Sequence, residues 1–184
     1  YLRGRGPVTA QPVLKTPPPV FVLATGRGLE LAARAGLPVV VGGPRLLVDP
    51  TPLDRYRATF RPSGAGSEPY VVVSLEVMVA DSTTAARDLL LPEAWAMAAS
   101  RETGVFGPLR SPEEIMGLKL HPQQLRRMEE WMAGAVHGDA EQVAVELAEL
   151  VARTGADEIM ASTSTHDRDA LARADSAFAE LIPG

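Results

Sequence analysis

The stretch Val20 to Gly43, VFVLATGRGLELAARAGLPVVVGG, constrains the fold more than any other part of the chain. Val20, Phe21, Val22 and Leu23 form an unbroken apolar run, as expected of a parallel strand covered on both faces. Thr25-Gly26-Arg27-Gly28 then turns the chain into a short helix of Leu, Glu and Ala that ends at Gly36. Gly36 suits the left-handed position after a helix, and Pro38 prevents continuation. Val39-Val40-Val41 begins a second strand before Gly42-Gly43. A helix that starts straight after a strand offers free backbone N–H groups and its positive end to a phosphate.

The rest of the chain continues the alternation. Residues 1–19 contain Gly-Arg-Gly-Pro and Pro17-Pro18-Pro19 and read as an extended lead-in. A short helix is expected around Leu53 to Phe60, ended by Pro62 and Gly64. Tyr70 to Ala80, YVVVSLEVMVA, predicts one long strand interrupted in character by Glu76. A carboxylate there faces either a polar surface or a ligand cavity. Asp81-Ser82 caps a helix running to about Ser100, with a kink expected at Pro92. Ser111-Pro112-Glu113-Glu114 is a capping box with proline at the first helical position. The next helix, Pro122 to about Ala135, places Leu125, Met128, Met132 and Ala135 on one face, a stripe that reads as core. Asp139 and Gln142 open a further helix with Val143, Leu147, Leu150 and Val151 as its buried stripe and Gly155 as its end. Glu158 to Thr163 is a short strand and Asp169 to Leu181 a terminal amphipathic helix. Four strands separated by helices predict an α/β fold with a parallel sheet, open or curled into a barrel. With 184 residues the chain is too short for a complete eight-stranded barrel, which needs about 250.

Composition narrows function mainly by exclusion. A net charge of −5 with no basic arm argues against non-specific nucleic-acid binding. No apolar run approaches the roughly 20 residues of a membrane-spanning helix. The absence of cysteine excludes disulfides, thiolate catalysis and cysteine-ligated zinc, and is compatible with a cytoplasmic location. No spacing of His, Asp and Glu resembles a metal site, and no Gly-x-Ser-x-Gly motif is present. Of three histidines, His121 reads as a surface residue before a helix and His137 as a local hydrogen-bonding group. His166 follows the last predicted strand, at the end where barrel enzymes place their chemistry, with Asp167 beside it to orient the ring or cap the helix. It is the one weak catalytic candidate. The first residue is Tyr1 rather than methionine and no signal-peptide pattern follows it, which leaves two readings open, a true start or a break in a longer chain.

Three blocks, in register along the chain, resemble the C-terminal half of the luciferase-like flavin-dependent monooxygenases. They are the Val20–Gly43 segment, YRATFRPSG followed by PYVVVSLEVMVADSTTAARDL, and VHGDAEQVAVELAELVARTGADEIMASTSTHD. The resemblance implies a partial (β/α)8 barrel, with residues 20–184 corresponding to strands five to eight and their helices. It implies reduced flavin mononucleotide, or a deazaflavin as in some branches, acting with oxygen on a small organic substrate. By position in the family, Thr25, Gly26, Arg27 and Gly28 match the turn that holds the flavin phosphate. Thr25 would donate its hydroxyl, the glycines would allow close approach, and Arg27 would supply charge. Relatives often carry serines where this chain has Gly26 and Arg27. The resemblance also implies a separate flavin reductase, and a partner that completes the barrel: an N-terminal half-barrel or a second copy of the chain. Two other readings stand beside it, a non-catalytic flavin-binding or scaffolding subunit of the same fold and an unrelated α/β protein.

Overall fold

The computed structural model describes residues 7–9, 11–13, 15–16, 18–43 and 48–181. The chain divides into two units, Tyr1–Val40 with Pro52–Tyr70, and Val41–Thr51 with Val71–Gly184.

The first unit contains β1 (Val22–Leu23), α1 (Arg27–Ala35), the beginning of β2 (Val39–Gly42) and most of α2 (Thr51–Thr59). The two strands are parallel, with Val22 opposite Val39 and Leu23 opposite Val40. The first strand is shorter than its apolar run, beginning at Val22 rather than Val20. Leu29, Ala32 and Ala33 are the buried face of α1. Gly36 ends this helix at φ 63°, and its N–H donates to the Ala32 and Ala33 carbonyls. Buried Tyr56 on α2 donates from its hydroxyl to the Leu37 carbonyl at 2.9 Å. No helix or strand occurs among the described residues of the lead-in.

The second unit contains β3 (Val71–Leu75), β4 (Val77–Val79), α3 (Thr83–Thr103), α4 (Pro112–Met116), α5 (Pro122–Met132), β5 (Val136–Gly138), α6 (Ala140–Thr154), β6 (Glu158–Ala161) and α7 (Arg168–Leu181). The expected long strand is in fact two. β3 lies parallel to β6 from Val72–Glu158 to Leu75–Ala161, whereas β4 lies parallel to β5 from Val77–Val136 to Val79–Gly138. The change of partner falls at Glu76. Asp157 fixes the start of the first ladder, its N–H donating to the Val71 carbonyl and its carboxylate accepting from the Val71 N–H.

Helix α3 runs through Pro92 without ending, and its Ala86, Leu90, Ala94 and Ala98 join Ile115, Met128 and Met132 of the neighbouring helices and Met78 of β4 in one core. Small residues on α3 let α5 approach closely. Ser82, Ser111 and Asp139 cap α3, α4 and α6, each side chain accepting from a backbone N–H three residues on. Two expectations about packing are corrected. Leu125 is exposed because the core meets α5 along Met128 and Met132, and Val151 lies at the exposed edge of the α6 stripe. Among the described residues no helix is long and apolar enough to cross a membrane.

Candidate functional site

In the first unit, the turn after β1 leaves several donors without acceptors. Its internal hydrogen bonds run from Gly28 N–H to the Thr25 carbonyl and from Leu29 N–H to the Gly26 carbonyl. The amides of Thr25, Gly26 and Arg27 meet no acceptor among the described residues, and no side chain caps α1. Thr25, Gly26 and Arg27 are exposed. Gly26 adopts φ 53°, ψ −114°, a backbone open to glycine, and a Cβ placed there would meet nothing within 4 Å. Gly28 is more confined, since a Cβ would lie 3.3 Å from that of Ala24. Free amides, a hydroxyl, a guanidinium and the positive end of a nine-residue helix thus share one open turn. Such a donor set fits a phosphate dianion.

In the second unit, the change of strand partner at Glu76 opens a crevice, the kind of place where open α/β sheets bind ligands. The segment after β6 pins both sides of it. Ser162 N–H donates to the Leu75 carbonyl at 3.1 Å. The Thr163 hydroxyl accepts from the Val77 N–H at 2.6 Å and donates to the Val77 carbonyl at 2.8 Å. On the other flank Val136 N–H donates to the carbonyl of Glu76 itself at 2.9 Å. Next to this point lies a cavity of about 520 Å³, within the range of small-molecule sites. Leu75, Met97, Ala98 and Trp131 give it apolar walls; Glu76, Arg101, Arg127 and Glu130 bring charge. Gly43, at φ 94°, also lines it, whereas Gly42 has a different duty. A Cβ on Gly42 would press to 2.7 Å from the Ser74 carbonyl oxygen, so its smallness serves strand packing.

The cavity's charged groups are held to different degrees. Arg127 is tied to Glu102 at 3.4 Å, and Glu102 also accepts from Gln124. The carboxylate of Glu76 has no hydrogen bond or ion pair among the described residues. On α3, Glu93 accepts from the Ser164 N–H at 2.6 Å. Burial pushes the Glu93 carboxyl above its usual range; the Ser164 amide opposes this, and the nearby Glu76 carboxylate adds to the rise.

The histidines lie outside this cavity's lining. His121 is the exposed residue before α5, its N–H donating to Gln124. The His137 ring lies on β5 with Nδ1 2.9 Å from the Ala135 carbonyl, the local bond expected of it. His166 is exposed. Its neighbour Asp167 accepts from the Asp169 and Ala170 amides at the start of α7, and these bonds hold its carboxyl below the usual range. The cavity residues Met97, Arg101, Arg127 and Trp131 had no sequence signal, because they meet only through helix packing. Glu76 did have one, as a lone carboxylate in a β-branched strand.

A parallel-stranded α/β chain with a donor-rich turn and a crevice at a strand switch matches a known class in sequence as well. The sequence profile described as luciferase-like monooxygenase matches residues 2–158. The chain belongs to the luciferase-like monooxygenase family, and its fold is that of a partial (β/α)8 barrel. It is 29% identical over 156 residues to a luciferase-like monooxygenase of Escherichia coli K12, covering 83% of this chain and 46% of that protein. It is 28% identical over 151 residues to the uncharacterized protein YvbT of Bacillus subtilis, covering 81% and 45%. The chain therefore spans less than half the length of either relative. Among solved structures, apo-MsnO8 superposes with a TM-score of 0.75 at 22% identity, over 98% of this chain and 56% of that one. The long-chain alkane monooxygenase LadA gives 0.54 at 16% identity, over 90% and 41%.

Proposed function

We propose that this chain is the C-terminal half of a flavin-dependent monooxygenase, residues 20–184 forming the half-barrel behind a lead-in of residues 1–19. The cofactor is reduced flavin mononucleotide, with a deazaflavin as the alternative, and a separate reductase supplies it in reduced form. Its phosphate sits on the turn Thr25–Gly28. When bound, the reduced flavin supplies the electrons by which oxygen is divided between substrate and water. The chain's own residues bind and orient. The turn amides, the Thr25 hydroxyl and the Arg27 guanidinium hold the phosphate, and the cavity beside Glu76 takes a small organic substrate and shields it from water. The observation that carries the cofactor assignment is the set of unpaired donors in the Thr25–Gly28 turn, in a chain of this family.

The strand edges support a completing partner. Among the described residues β1 pairs on one side only, with β2, and Leu23 on it is 82% exposed. β6 likewise pairs only with β3 among the described residues. Open edges of this kind are normally covered. An N-terminal half-barrel is the occupant we favour, because the matched relatives are about twice as long as this chain; a second copy is the alternative.

Flavin mononucleotide titration tests the turn. Losing a charge-assisted hydrogen bond costs about 1.5–3 kcal/mol, so Arg27→Ala should weaken binding by roughly tenfold or more. Thr25→Ala should weaken it by a smaller factor. Unchanged affinity in both variants would remove the assignment. Flavin binding without substrate oxidation, once a completing half and a reductase are supplied, would make the chain a non-catalytic flavin-binding subunit instead.

A further inference from the structure

We propose that Glu76 determines specificity in the cavity beside it, accepting a hydrogen bond from a hydroxyl or N–H group on an otherwise apolar substrate. Thr163 is its positioning residue. The inference rests on reading that cavity as the substrate site.

The geometry around Glu76 is unusually determined for a residue between two short strands. Leu75 before it is bonded by Ser162, Val77 after it is held at both N–H and carbonyl by Thr163, and its own carbonyl takes the Val136 amide. Two separate segments, the stretch after β6 and the start of β5, therefore fix the backbone of one residue. Its side chain is half-buried and lines the cavity, yet accepts nothing among the described residues. A carboxylate that gives up water without a hydrogen-bond partner is costly to bury, and a donor on a ligand offsets that cost. Neither cation of the lining supplies one: among the described residues, Arg101 and Arg127 form no ion pair with Glu76. Arg127 is committed to Glu102, and Glu93, the neighbouring carboxylate, repels Glu76 and is itself bonded to the Ser164 amide.

The walls set the rest of the substrate's character. Leu75, Met97, Ala98 and Trp131 suit an apolar body, and about 520 Å³ suits a molecule of one or two rings. Binding pockets discriminate strongly when a buried acceptor would be left unpaired by the wrong ligand, and weakly when only apolar contact changes. Glu76 therefore separates alcohols, phenols and amines from their ethers and hydrocarbons.

The test uses the full chain with 4-tert-butylphenol and 4-tert-butylanisole, which differ by one donor. Affinity is read by calorimetry and location by the indole N–H resonance of Trp131, which lines the cavity, against that of Trp95, which stacks on Arg110. The phenol should bind about tenfold tighter than the anisole, with the Trp131 signal shifting. Glu76→Leu should abolish the preference and Glu76→Gln reduce it. Thr163→Val should reduce it, and Thr163→Ser restore it, which a merely structural role for the hydroxyl would not produce in a ratio of two ligands. If Thr163→Val does not fold, the two Glu76 variants decide alone. Equal binding of both probes with Trp131 shifting, or a preference that survives Glu76→Leu, overturns the role of Glu76 and leaves the cavity reading standing. No response of Trp131 to either probe overturns the cavity reading, and the Glu76 role with it.

Discussion

Thr163→Val is the most direct test of the strand switch. Valine keeps the shape of threonine and removes only the oxygen, so the substitution strips two bonds, 2.6 Å from the Val77 N–H and 2.8 Å to its carbonyl. Val77 is buried, so its amide and carbonyl lose their partner without gaining free access to water. Leaving a buried backbone group unsatisfied costs about 1–3 kcal/mol, and partial hydration at the crevice mitigates it, so the pair should cost about 3 kcal/mol. Thr163→Ser keeps the oxygen and loses one methyl group, worth about 0.8 kcal/mol at most. The predicted gap between the two variants is about 2 kcal/mol, a sizeable part of a typical folding stability of about 5–15 kcal/mol. Urea unfolding should show the valine variant with a lower midpoint and an unchanged slope, since the surface exposed on unfolding is the same. Hydrogen exchange should show faster loss at the Val77 amide than at Val73, which lies deep in the β3–β6 ladder. If valine and serine variants unfold within about 0.5 kcal/mol of each other, the hydroxyl does not carry the switch and the argument fails.

Two further outcomes follow from local geometry. Gly36→Ala should destabilise the first unit by more than about 2 kcal/mol, because the left-handed backbone alone costs about 1–2 kcal/mol and the new methyl would overlap the Arg61 carbonyl and sit 2.7 Å from the Ser63 Cβ. Gly104→Ala has a similar φ of 70° with open space around it and should cost only the backbone share; equal effects of the two in thermal unfolding would refute the steric part. Glu93→Gln keeps an acceptor for the Ser164 amide and removes the charge that faces Glu76. Because the folded protein holds the Glu93 proton above its usual 4.5, this group favours folding fully below that value and progressively less as pH rises through its folded pKa. The glutamine variant should therefore gain stability relative to the parent between acid and neutral pH, and a difference that is flat or falls with pH would contradict the assignment.

Much of this architecture was legible because it is written locally. The turn at Thr25–Gly28, the glycine ending α1, and the caps at Ser82, Ser111 and Asp139 each depend on residues within a few positions of one another. The strand switch depends on residues far apart. A run such as YVVVSLEVMVA has the same period and propensity whether it keeps one partner or exchanges it, and β5 is three residues long, too short to show any period. What divides the run is a hydroxyl 86 residues away. The same reasoning applies to α5, where Leu125, Met128 and Met132 share a stripe but only the last two are covered, because the width of the cover is set by the helices packed on it. Local rules name the carboxylate at Glu76 as unusual without saying which surroundings it has. Those surroundings come from β5, β6 and α3 together, and they turn a residue that propensity would place at a solvated edge into the fixed acceptor of a half-buried cavity.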